Sequence, residues 1–212
     1  MTIQRFQRTT EHDLPQPVAA ANLPVVGERD ASPEVTQLYA KFRNDFGRPL
    51  IPGILQCFAT HPPLLEHMMG LAQSVLFLDG ALDRRHKEML STFVSAQNQC
   101  VYCTDSHGFS FRMQGGTVEE LEAVMACNLE SEAITPAQRA LLEFARKITE
   151  NSQAIAQSDI EALRVAGWSD LQVAEAIHVT ALFASFNRVA NAFGLPSQEL
   201  LNIFAKEVDD HA

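Results

Sequence analysis

Positive charge is scarce in this sequence: 16 lysines and arginines stand against 26 aspartates and glutamates, a formal net charge of −10. So acidic a chain repels a phosphate backbone, which argues against nucleic acid as a partner. Cysteine is scarce too, at four in 212 residues, too few for a fold stapled by disulfides. No apolar run reaches the roughly 20 residues of a membrane span. The longest apolar-rich stretch, 173–193, is broken by Glu175, His178, Asn187 and Arg188. Residues 1–16 lack the apolar segment of a secretory signal. There is no G-x-G-x-x-G, no P-loop and no C-x-x-C-H, so nothing points to nucleotide, flavin or haem. These absences lead to the expectation of a cytoplasmic protein that does not touch a membrane. In that reducing compartment, closely spaced cysteines serve catalysis or metal binding rather than stapling.

What is present is helical periodicity. Apolar residues make up 46% of the chain, enough for a full core at this length. Residues 1–32, with Pro15, Pro17 and Pro24, read as an irregular arm. From Ser32-Pro33, an N-cap followed by proline, the helical domain 33–212 begins. Helices are expected from Pro33 to Phe46, Pro62 to Leu78, Asp83 to Gln97, Cys100 to Gln114, Thr117 to Met125, and Thr135 through Ile148. Further helices follow over Ser158 to Val165, Ser169 to Phe193 and Ser197 to Val208. No stretch shows the period-2 alternation of a strand, so the fold class is all-α, a compact helical bundle.

The chemistry concentrates between Glu88 and His107. Cys100-Val101-Tyr102-Cys103 is a C-x-x-C, and His107 follows four residues after the second cysteine. On a helix, positions 100, 103 and 107 fall within an arc of about 60°. Two thiols and an imidazole on one face suit thiol redox chemistry: one thiolate attacks, its neighbour resolves, and the ring moves protons. Cys100 sits where free backbone N–H groups and the helix dipole favour a thiolate. Glu88 precedes it by twelve residues, about 18 Å along one continuous helix. It can reach the motif only if the chain reverses at Asn98-Gln99.

The pattern Glu88, Cys100-x-x-Cys103, His107, preceded by Arg85-His86-Lys87, resembles the signature of the AhpD-like alkylhydroperoxidases within the carboxymuconolactone decarboxylase family. A second likeness lies in Ala176–Gly194, with its Phe186-Asn187-Arg188. The resemblance covers roughly 33–205 and implies an all-helical homo-oligomer that reduces organic hydroperoxides or hydrogen peroxide. It implies that Cys103 attacks the peroxide, that Cys100 resolves the sulfenic acid as a disulfide, and that Glu88 and His107 relay protons. No bound cofactor is implied. A dihydrolipoyl- or thioredoxin-like dithiol would restore the pair, in steps that follow known thiol chemistry. Where some members carry a histidine between the cysteines, this chain has Tyr102, so a relay through that imidazole does not carry over.

Other readings stand beside this one. Helix-start logic alone favours Cys100 as the attacking sulfur. The pair could serve a disulfide oxidoreductase or redox sensor without peroxide activity, or the site could be an ancestral remnant in an interaction protein. A decarboxylase-type lyase would not need the cysteines. Zinc would require two more ligands, and beyond His107 only Cys127 or His178 offers a fourth. A thioredoxin fold needs a strand before the motif, and 94–99 has no strand pattern. Cys57 and Cys127 read as small apolar residues, His178 as a packed histidine, and Asn187-Arg188 as a structural polar pair within an apolar helix.

Overall fold

The computed structural model describes residues 22–204. Among them the regular structure is helical: α1 (Pro33–Phe46), α2 (Gly53–Phe58), α3 (Pro62–Ala72), α4 (Arg84–Gln97), α5 (Val101–Met113), α6 (Val118–Met125), α7 (Pro136–Asn151), α8 (Gln157–Val165) and α9 (Asp170–Phe193). The expected boundaries hold wherever a cap sets them. Ser32, Asp83, Thr117, Thr135 and Ser169 each accept a backbone N–H from the first turn of the helix that follows. Gly47 and Gly194 close α1 and α9 in the left-handed conformation. No helix of the described residues is long and apolar enough to cross a membrane.

Three places depart from the expected pattern. Pro52-Gly53 reads as a break, yet Gly53–Phe58 forms α2, because Leu55, Cys57 and Phe58 bury together. The helix expected from Pro62 to Leu78 changes pitch: α3 ends at Ala72 and the chain continues as a π-helical stretch, Gln73–Phe77. The last helix does not begin at Ser197. The buried Asp105 carboxylate of α5 instead takes the backbone N–H groups of Gln198 (3.0 Å), Leu200 (3.1 Å) and Leu201 (3.1 Å), and helix appears only at 202–204. The remainder of that expected helix, 205–208, lies outside the described residues, as do residues 1–21 of the N-terminal arm. Within 22–32, Asn22 donates its backbone N–H to Phe193 and Val26 to Gln56, and Glu28–Asp30 forms a 3-10 turn.

α4 is the axis of the bundle. It packs against α5, α6, α7, α9 and the π-helical stretch, and every residue from Lys87 to Ser95 is buried. A helix enclosed on all sides must satisfy its polar groups internally. The Ser91 hydroxyl donates to the Lys87 carbonyl (2.6 Å) and that of Thr92 to the Glu88 carbonyl (2.8 Å). Lys87 reaches the Leu78 carbonyl at 3.1 Å and Glu175 at 3.4 Å, and Glu175 also accepts the N–H groups of Ala81 and Leu82. This arrangement ties α9 to the entry of α4.

Candidate active site

The turn between α4 and α5 builds the thiol pair. Asn98 ends α4, and Gln99 follows with φ +53°. Cys100 N–H reaches back to the Ser95 carbonyl (2.9 Å) and Gln99 N–H to that of Ala96 (3.0 Å). This double bond is the Schellman ending, with a non-glycine residue in its left-handed position, which costs about 1–2 kcal/mol. Cys100 therefore closes one helix and caps the next, and its Sγ accepts the Cys103 N–H at 3.4 Å. The reversal expected at Asn98-Gln99 is there, and α4 and α5 run side by side.

Both sulfurs are buried, at 1% exposure for Cys100 and 3% for Cys103. Hydrogen bonds from the Cys103 thiol, the Cys103 N–H and the Asn187 amide outweigh burial and hold the Cys100 thiol below its ordinary range. The Cys103 thiol, hydrogen-bonded to Cys100 and buried, is pushed well up. The shared hydrogen bond thus favours the thiolate at Cys100 over one at Cys103.

Glu88 comes back along α4 to meet α5, where its partner is His107. The His107 Nδ1 lies 2.7 Å from Glu88 Oε2, so Nδ1–H donates to the carboxylate and Nε2 is left to exchange protons. The other oxygen, Oε1, accepts from Arg84 Nε (2.8 Å) and from a second guanidinium nitrogen. Glu88 is fully buried. Burial alone would raise its carboxyl, but the Arg84 charge and His107 outweigh it and hold the group at about 2. The His107 ring stands edge-on to Phe183 with centroids 4.4 Å apart. The four expected residues thus form two bonded pairs, Glu88–His107 and Cys100–Cys103. Among the described residues no hydrogen bond joins the imidazole to either sulfur.

Tyr102, between the cysteines, has a structural job. Its hydroxyl accepts the Ile54 N–H (3.3 Å) at the start of α2, where Pro52 supplies no side-chain cap. Burial raises its phenol above the ordinary range. Cys57 is buried in the same small cluster as Cys100, Tyr102 and Cys103, and burial pushes its thiol up to about 12, which leaves it inert. His178, expected to be packed, is exposed on α9. Among the described residues no three His, Cys, Asp or Glu side chains gather into a group that could hold a metal.

Sequence reasoning assigned Asn187 a structural part and missed its place at the sulfurs. It is fully buried. Its Nδ2 donates to Ser95 Oγ (3.0 Å), its Oδ1 accepts from Asn98 Nδ2 (3.0 Å), and its amide stands by the two sulfurs, where it favours the thiolate form. Asn191, one turn on, donates to the Asn98 carbonyl (3.1 Å). The signal available in the sequence was the polar pattern Asn187-x-x-x-Asn191 on an otherwise apolar helix face. A hydrogen bond to a charged group contributes about 1.5–3 kcal/mol. Asn187→Ala is therefore expected to raise the Cys100 thiol, read from a shift to higher pH in its alkylation profile. An unchanged profile would remove Asn187 from the site.

Beside Glu88 and His107 opens a cavity of about 170 Å³, walled by phenylalanines and aliphatic side chains and reached also by Arg48, Tyr102 and Gln198.

Comparison with known proteins follows the same lines. The model of the carboxymuconolactone decarboxylase family matches residues 62–147, a stretch that contains Glu88, Cys100, Cys103 and His107. Among solved structures, a peroxidase-related protein of Ralstonia eutropha JMP134 with an alkylhydroperoxidase AhpD core is 27% identical. It superposes with a TM-score of 0.74 over 86% of this chain and 95% of that one. A peroxidase-related protein of Silicibacter sp. TM1040 is 26% identical, with a TM-score of 0.72 over 85% and 92%. Among curated proteins, uncharacterized protein 4 in the cox locus of Paracoccus denitrificans is 38% identical over 47 residues. That match spans 22% of this chain and only 42% of the relative's own length.

Proposed function

The chain belongs to the carboxymuconolactone decarboxylase family, in its AhpD-like branch, and on that footing we propose that it is a thiol peroxidase working through Cys100 and Cys103. The observation that carries this reading is the place of Cys100 at the start of α5, where its Sγ accepts the Cys103 N–H at 3.4 Å, with the Glu88-bonded imidazole of His107 one turn beyond Cys103 on the same helix. The Cys100 thiolate attacks the terminal peroxide oxygen. The O–O bond breaks, Cys100 becomes a sulfenic acid, and the departing alkoxide takes a proton from His107 to leave as an alcohol. Cys103 then attacks the sulfenic sulfur, the S–S bond forms, and hydroxide leaves as water with the proton of the Cys103 thiol. His107 regains its proton from solvent, while Glu88 holds its ring in place throughout. An external dithiol reduces the disulfide and is itself oxidised.

This assignment gives the attack to Cys100, not to Cys103 as the resemblance implies. It also weighs against a protein-disulfide oxidoreductase, since a partner protein's disulfide would have to reach sulfurs that are almost fully buried. A slender dihydrolipoyl arm meets less obstruction than the broad face of a thioredoxin-like protein, so we assign the reductant to the former class. The test is consumption of cumene hydroperoxide with dihydrolipoamide as donor. Turnover at one peroxide per dithiol oxidised is the expected result. Absence of turnover with any dithiol, small or protein-bound, would overturn the reading.

A further inference from the structure

Two buried compartments meet at the start of α5. One is the cavity of about 170 Å³ beside Glu88 and His107, lined by neither Cys100 nor Cys103. The other is the small apolar cluster that holds Cys57 and the thiol pair, packed round by Val25, Val189, Phe193 and Leu195. Among the described residues, only Tyr102 and Ile54 belong to both. These two are joined directly, the Ile54 N–H donating to the Tyr102 hydroxyl at 3.3 Å. They form the partition between cavity and sulfurs.

The partition is closed but lightly held. Tyr102 is buried, and a methyl group on Gly53 would lie 3.4 Å from its ring and 3.2 Å from Leu195, so the ring is packed closely on that side. Its phenol feels Arg48 of the cavity wall as well as Cys57 and Cys103 of the cluster. The hydrogen bond that joins the two halves is long for an N–H donor. α2 starts at Pro52 without a side-chain cap, and Ile54 is only half-buried. Tyr102 stands in the first turn of α5, where backbone N–H groups lack helical partners. The same wall divides the reacting groups: His107 lines the cavity, and the sulfurs lie beyond. A molecule in the cavity is beside the imidazole and screened from the thiolate.

We propose that Tyr102, with Ile54, is the gate between the cavity and the thiol pair, and that it determines by size which molecules pass from one to the other. The residue between the two cysteines is then a specificity-determining one. A slim molecule slips past the ring, while one that carries a ring of its own waits in the cavity until Tyr102 swings aside. The inference rests on the reading of Cys100 as the reactive sulfur.

Alkylation measures the gate without turnover. The probes are iodoacetamide and N-benzyliodoacetamide, which share a reacting carbon and differ in bulk. Each is added to the reduced protein, and modification of each cysteine is followed by peptide mass, with rates corrected for those with free glutathione. In the wild-type protein iodoacetamide is expected to modify Cys100 at least about tenfold faster than the benzyl reagent. Tyr102→Ala should raise the benzyl rate by about tenfold or more and bring the two rates together. Ile54→Ala, which opens the other half of the wall, should act in the same direction. Tyr102→Phe keeps the ring and should keep the discrimination. Ala72→Phe, which fills the cavity from a half-buried wall position, should cancel the gain when added to either alanine variant. General loosening of the fold would instead speed both reagents alike and open Cys57 to alkylation, and Ala72→Phe would not reverse it. Equal rates at wild-type Cys100 would overturn the proposal. So would a benzyl rate that Ile54→Ala leaves unmoved, or a gain that survives Ala72→Phe, and neither of these readouts needs the Tyr102 variant to fold. The expected alkylation pattern without peroxide consumption would keep the gate and remove the peroxidase reading; peroxide turnover with alkylation blind to size would do the reverse.

Discussion

Cys100→Ser is expected to lose peroxide consumption by about a thousandfold or more, since no other group near the site supplies an activated nucleophile. Cys103→Ser should behave differently. It keeps the attacking sulfur and loses the resolving one, so each chain reduces one peroxide and stops at the sulfenic acid. The physical basis is the cap: Sγ of Cys100 accepts the Cys103 N–H and faces the Asn187 amide, and both contacts survive loss of the Cys103 thiol. Trapping with a cyclic 1,3-dione followed by peptide mass analysis reads the outcome directly. An adduct on Cys100 in the Cys103→Ser protein is the expected result. An adduct on Cys103 in the Cys100→Ser protein would return the attack to the second cysteine.

Glu88→Gln should produce the next largest effect, on stability and activity together. The carboxyl is fully buried and held at about 2 by Arg84 and His107 against the opposing effect of burial, below an ordinary value of 4.5. A carboxyl depressed by folding stabilises the protein above its unfolded value and loses that contribution as pH falls through the folded one. The window thus runs from about pH 4.5 down to about 2, and the contribution at neutral pH is on the order of 3 kcal/mol. In Glu88→Gln the half-buried Arg84 guanidinium is left beside a neutral amide, and the melting temperature should fall by roughly 6–12 °C at pH 7. The gap between the two proteins should close as pH falls through the window, because the wild-type carboxylate is itself protonated there. Peroxide turnover should drop by about a hundredfold as His107 loses the carboxylate that fixes its tautomer. A variant with unchanged melting and unchanged turnover would show that the Glu88–His107–Arg84 cluster is ornamental.

The all-helical fold was legible in the sequence because short-range chemistry sets it. Ser32-Pro33, Thr117 with Glu120, Thr135 with Gln138 and Ser169 with Gln172 are capping patterns, and each helix starts where its cap stands. What was not legible depends on distant partners. The turn at 198–201 looks helical until Asp105, more than ninety positions earlier in the chain, takes its N–H groups. The short α2 is hidden because its caps are poor and its burial against α9 is tertiary. At the site, spacing brought out Glu88, Cys100, Cys103 and His107. It could not show that the four divide into two pairs, since that depends on which oxygen Arg84 occupies and on the Gln99 turn. Asn187 escaped for the same reason: its partners Ser95 and Asn98 lie 92 and 89 positions away. Arg48 gave no periodic signal at all, because it sits in a connection and reaches the cavity only through the fold.

The most direct test of the thiol account is stoichiometric. The protein is reduced, freed of reductant and given one equivalent of cumene hydroperoxide without oxygen, and its thiols are counted and mapped by peptide mass. The account expects rapid loss of two thiols per chain and a Cys100–Cys103 disulfide, with Cys57 and Cys127 still reduced. Thiols that stay reduced over minutes, or a disulfide that draws in Cys57, would contradict it.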